Sequence, residues 1–205
     1  PERSARAPVT KKLPRSWAEI IAKPRGRLED PNPVGPLPGS FLDAEREEWK
    51  LVVRRKAEAR MMVGVNPEEV VRGPAGEDTS SGGFAVGKDE EEDRAIDDCR
   101  RKNWRELRLP PARLGHGACY TRRVLDQRRR TEYHMYDVPS CYHNLETSEE
   151  HAKYSPQGPE ITVEEAIELG LPIQGQPTGK MIQPCVITFS MGDAKAVPAA
   201  QEYMT

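Results

Sequence analysis

Greasy side chains are scarce in this sequence. Leu, Ile, Val and Phe together make 37 of 205 residues, about 18%, and aromatic residues only 6%. A fraction below roughly 20% marks chains that bury too little to offset their ordering entropy. The large net charge that usually accompanies disorder is absent as well: 31 basic and 33 acidic residues leave a formal charge of -2. The core is therefore expected to be thin, with charges free to neutralise one another or a partner. No apolar run approaches the ~18 residues a bilayer-spanning helix needs. No secretory h-region opens the sequence and Pro1 stands first, which fits a removed leader or a truncated chain. Four cysteines are too few to read as a disulfide scaffold.

Enzyme signatures are missing too. There is no Gly-x-Ser-x-Gly, no His-Glu-x-x-His and no convincing acid pair, so a non-catalytic protein is expected. The stretch from Gly175 to Lys180 has three residues between its glycines where a phosphate loop needs four, and Met181 stands where magnesium would want a hydroxyl. Gly82, Gly83 and Gly87 lead into a run of acids that would repel a pyrophosphate.

What the chain does have is proline, 19 residues of it, and arginine. Residues 1–40 read as a basic, proline-rich arm, with a capping-box pattern at Ser16 and Glu19 and a short apolar stripe of Trp17, Ile20 and Ile21. Pro31, Pro33, Pro36 and Pro38 follow one another with one or two residues between neighbours and favour extended backbone. A helix is predicted within 41–64, from about Leu42 to Val63, capped by Asp43, with Trp49, Val52, Val53 and Met61 on one side and Gly64 as a stop. Residues 65–87 read as loop. Residues 88–153 read as a helical region containing the Cys/His pairs, with helices predicted over 88–109, 118–133 and 140–153. Residues 154–205 read as an extended C-terminal arm with one short helix, opened by a Thr162–Glu165 capping box and closed by Gly170, and one strand-like run at Cys185–Phe189 that would pair with a partner chain or stay extended.

Two constellations could carry binding. His116 and Cys119, then Cys141 and His143, are soft donors in short pairs of the kind zinc takes in a tetrahedron, although one intervening residue is tight for the second pair. The same cysteines could instead be buried thiols, or Cys119 and Cys141 could close a disulfide across a helical hairpin. Residues 100–130 hold eleven Arg/Lys against Glu106 and Asp126, with Trp104 and Tyr120 interleaved, which fits either rRNA phosphates or protein surface. The near-neutral total favours protein, and Trp17, Trp49, Trp104, Arg128, Arg129 and Arg130 are the predicted partner contacts.

Taken together, the fold class expected is mainly α, with a few short helices, irregular extended arms, a small core and little or no β-sheet. In composition the chain resembles the supernumerary subunits of large mitochondrial machines, which also combine basic proline-rich arms with short helices. That resemblance implies a non-catalytic accessory role in a membrane-associated assembly, on its matrix or intermembrane-space side and most readily in the respiratory chain, with other protein subunits as partners, no cofactor and no small-molecule substrate. A mitochondrial ribosomal protein on rRNA and a small zinc-dependent binding module are the alternatives.

Overall fold

The computed structural model describes residues 7–8, 11, 13–22, 37–73, 76–88, 90, 93–106, 109–110 and 141–204. Among them the predicted first long helix forms as α2 (Arg46–Glu58), after a shorter α1 (Arg15–Ala22). Helix α2 starts later than predicted because Glu45, not Asp43, closes a capping box with Glu48. It stops early because Arg60 adopts a left-handed φ of 53°. The Arg60 and Met61 amides then bond back to the carbonyls of Ala57 and Lys56, the pattern of a Schellman motif without its usual glycine. Gly64, read as the stop, lies instead in the next strand.

That strand, β2 (Met62–Val65), joins β7 (Met181–Val186) and β6 (Ile161–Thr162) in an antiparallel sheet of order β2-β7-β6. Proline in a central strand removes a ladder donor. Here Pro184 lies opposite Gly64, whose own N–H and C=O turn away to Pro172 and Gln174, so no donor is needed on that side. A second antiparallel pair is a ribbon of β3 (Gly82–Gly87) and β4 (Asp93–Asp98). A short parallel pair joins β1 (Ala7–Pro8) to β5 (Leu145–Glu146). The remaining helices are α3 (Arg100–Arg105), α4 (Glu149–Ala152), α5 (Val163–Glu168) and α6 (Ala196–Met204).

The chain is thus a mixed α/β fold, and the expectation of a mainly α protein with little or no sheet is wrong. Residues 82–87 are strand rather than loop, and the helix predicted over 88–109 is a strand followed by a six-residue helix. The acids before residue 93 mimicked a helix start, but the pairing of Asp93–Asp98 with Gly82–Gly87 overrides that local signal. The 185–189 run needs no partner chain to pair: β7 has β2 and β6, and Ile187 and Phe189 bond on to Thr147 and Leu145. Nor is 154–205 an arm, since it supplies the central strand and two helices. The α5 expectation holds in detail. Thr162 and Glu165 exchange both capping bonds, and Gly170 closes the helix at φ 68°.

The interior has an apolar cluster of Trp49, Val53 and Met62 against Ile161, Ile182 and Leu171, and a second of Ile21, Leu145 and Phe189 under α6. Each such side chain contributes about 1.5–3 kcal/mol when fully buried. The described residues therefore include an apolar core of their own. Two glycines are obligatory for it. Gly158 (φ 60°) lies flat on the Trp49 ring, where a Cβ would come within 2.4 Å of a ring carbon. Gly82 lets residues 41–43 lie beside β3, where a Cβ would overlap the Phe41 carbonyl. No helix among the described residues is long and apolar enough to cross a membrane.

Candidate functional site

The shortage of aliphatic side chains is made up by charge. Helix α3 turns its second half inward, so Lys102, Arg105 and the following Glu106 are all buried. Facing them is the segment before α6, with buried Asp193 and Lys195. Lys102 Nζ donates to Asp193 Oδ2 at 2.6 Å, and Lys195 Nζ donates to Glu106 Oε2, so the two segments exchange a cation and an anion in each direction. Asn103 adds bonds to the Gly192 carbonyl (2.7 Å) and from the Ala194 amide (2.9 Å). Arg105 donates to the carbonyls of Val71 and Tyr154 and to the Thr79 hydroxyl, tying two loops to one guanidinium.

His151 on α4 completes this layer. Its Nδ1 faces the Ile21 carbonyl, an acceptor only, so Nδ1 carries the proton and Nε2 accepts from Lys102 at 3.2 Å. Burial holds its pKa well below the usual 6.5, and the Lys102 and Lys195 charges push the same way. Burial opposes ionisation of Asp193, but Lys102 and Lys195 outweigh it and hold the carboxyl at about 2. On β4, Asp97 takes Lys56 from α2 at 2.9 Å and the Gln157 amide at 2.7 Å. Its pKa is lowered because Lys56 outweighs burial. These groups are bonded to one another and closed off from solvent, which fits a structural layer better than proton transfer.

Beside this layer the ribbon opens to solvent. On one face of β3–β4, Phe84 is paired opposite Ile96, and Val86 follows two residues on. Phe41 packs against Phe84 with ring centroids 6.5 Å apart. Phe41 is 53% exposed and Val86 47%. The same face leads into a cleft of about 430 Å³ walled by Phe41, Phe84, Ile96, Asp98, Arg100 and Asn103. Asp98 accepts the Phe41 amide at 3.0 Å and two bonds from Arg100 at 2.7 Å, and its pKa is lowered, chiefly by Arg100. The surface is thus an apolar shelf with one ion pair at its rim.

The described residues among those predicted from sequence lie elsewhere. Trp49 is in the core, donating to the Pro159 carbonyl, so its ring is engaged internally. Trp17 is half-buried on α1 against the second cluster, and Trp104 is half-buried on α3. Cys141 and His143 share one turn of 3-10 helix, with Cys141 half-buried as a free thiol. His116, Cys119, Arg128, Arg129 and Arg130 lie outside the described residues. Among the described residues no three His, Cys, Asp or Glu side chains are grouped to hold a metal ion. Cys99 and Cys185 are buried and free; burial raises the Cys99 pKa to about 12 and pushes Cys185 up as well, which makes both poor nucleophiles.

The shelf is not legible in the sequence, because residues 65–87 carry the composition of a loop. The alternation of Phe84 and Val86 with small residues was the available signal. No protein-family model matches the chain, and no curated protein sequence matches it.

Proposed function

We propose that this chain is a non-catalytic structural subunit of a larger protein assembly, seated through the shelf formed by Phe41, Phe84, Val86 and Ile96. The observation that carries this reading is the shelf itself: aromatic and aliphatic side chains left half-open beside a cleft, in a protein with few such residues to spare. The state of the ionisable groups supports the non-catalytic part, since Lys102, Asp193, Lys195 and Glu106 are bonded to one another and both buried thiols are held protonated. The assembly proposed is a mitochondrial complex of the respiratory chain, a setting supported by the compositional likeness alone. Binding to rRNA is disfavoured by the engagement of Arg46, Lys50, Lys56, Arg100, Arg101 and Lys153 with acids of the same chain.

The test is native electrophoresis of cell extracts. The chain should migrate with a complex several times its own 23.0 kDa mass and co-fractionate with respiratory complexes. Phe41→Glu with Val86→Glu should release it as a folded monomer. Migration of the unaltered chain as a monomer in extracts would end the assembly reading.

A further inference from the structure

We propose that the outer edge of β3 receives an extended, basic segment of a partner protein, which adds a strand beside residues 85–87. The proposal rests on the assembly reading above and names the chemistry of the partner. Its first support is the direction of the backbone groups. Residues 41–43 already lie along the start of this edge: the Phe41 carbonyl accepts from the Gly83 amide at 2.9 Å, and the Asp43 amide donates to the Gly83 carbonyl at 2.8 Å. In an antiparallel pair successive residues alternate in the direction of their N–H and C=O groups. Gly83 faces outward, so Ala85 and Gly87 do too, while Phe84 and Val86 face β4. Past Asp43 the chain turns into α2, and among the described residues β3 has no other strand neighbour. Ala85, Val86 and Gly87 are exposed. An open edge with apolar neighbours and no proline or bulge is a template for strand addition.

Charge selects the occupant. The sequence continues from this edge as Lys88, then Asp89, Glu90, Glu91, Glu92 and Asp93. Glu90 and Asp93 are exposed there. Five acids between Lys88 and Arg94 leave this end of the ribbon net negative, so a basic strand laid along the edge meets opposite charge. Alternate side chains of an added strand fall on the face of Phe84 and Val86, over the shelf and toward the cleft. The partner segment is therefore extended, with basic and apolar residues alternating.

Amide exchange on the full-length chain, alone and within its native assembly, tests this. The Ala85 and Gly87 amides should slow by about tenfold or more on assembly, whereas those of Phe84 and Val86 should be protected in both states. Ala85→Pro removes one outward donor and leaves the β3–β4 ladder intact, and it should lower incorporation about three- to tenfold. Circular dichroism checks its fold, and the exchange readout on the unaltered chain stands whatever that variant does. A synthetic heptapeptide alternating Lys and Val should protect the same two amides in the isolated chain, and its Glu/Val counterpart should not. Equal exchange of Ala85 and Gly87 in free and assembled chains overturns the strand addition while leaving the assembly reading intact. Equal protection by the acidic peptide overturns the choice of a basic partner. A chain that belongs to no assembly removes both proposals.

Discussion

Replacing Asp193 by Asn tests whether the interior is held by ion pairs. The Lys102–Asp193 contact is 2.6 Å long, and both side chains are almost fully buried. At an effective dielectric near 20, unit charges at that distance attract by about 6 kcal/mol. Each ion also loses several kcal/mol of hydration on burial. Attraction and desolvation nearly cancel while the pair is intact. They stop cancelling when one partner is neutralised, because Lys102 then keeps its desolvation cost with only neutral acceptors in contact, the amide oxygen introduced at position 193 and the His151 lone pair. Asp193→Asn should therefore destabilise by about 3–5 kcal/mol, a large share of the roughly 5–15 kcal/mol typical of a domain. Lys102→Met should cost a similar amount, while Lys102→Met with Asp193→Leu removes both ions and should lie closer to the parent than either single change. Equilibrium unfolding in guanidinium chloride, followed by the fluorescence of buried Trp49, measures all three. A loss under about 1 kcal/mol for Asp193→Asn, or a double variant worse than both singles, would refute the account.

Other outcomes follow from the same structure. His151 is neutral in the fold with a lowered pKa, so the unfolded chain takes up its proton first as pH falls; the stability this group contributes is full above about 6.5 and is lost on acidification toward its folded pKa. Denaturation midpoints should thus drop between pH 7.5 and 5.5, and His151→Gln should flatten that slope; a slope unchanged by the substitution would rule His151 out as its source. The groups facing His151 are Lys102 from α3, Asp193 and Lys195 ahead of α6 and the Ile21 carbonyl of α1; protonation at Nε2 keeps the Nδ1 bond to Ile21 but sets a second cation against Lys102, so acid should loosen the contact of α3 with α4 first, which amide exchange would detect. Gly158→Ala meets both a left-handed φ and the Trp49 ring and should cost about 2–4 kcal/mol in thermal unfolding, with a neutral result arguing against the packing described. Thr162→Ala removes the hydroxyl that caps α5 and should cost about 1 kcal/mol in the same assay.

Local rules in the sequence reached some elements and not others, for identifiable reasons. The α5 capping box and its Gly170 stop were legible because both ends are decided within the segment. Helix α2 was legible from Trp49 and Val53, but its end was not, since Arg60 occupies a backbone conformation normally announced by Gly or Asn. Strand β2 was split between the end of that predicted helix and the predicted loop, because a four-residue apolar run has no period of its own. Strand β4, Asp-Arg-Ala-Ile-Asp-Asp, carries no alternating greasy pattern, and its identity comes from β3 and from the burial of Asp97 against Lys56 and Gln157. The shelf depends on that pairing, so it was invisible for the same reason.

The thin apolar core expected from composition is supplemented by charge taken inside the fold. Balanced acids and bases were recognised as able to neutralise one another, and in Lys102, Asp193, Lys195 and Glu106 they do so inside the fold. Such pairs add little net stability against hydrocarbon of the same volume, but they penalise every arrangement that separates them. A lysine tolerates few alternative positions once buried, whereas a leucine can repack. An interior of this kind therefore fixes how α1, α3, α4 and the start of α6 meet, by geometry more than by apolar area. It also leaves the rare aromatic and aliphatic residues at Phe41, Phe84, Val86 and Ile96 without an evident internal task. In a chain this poor in them, their placement on an open face is the strongest reason to look for a protein partner there.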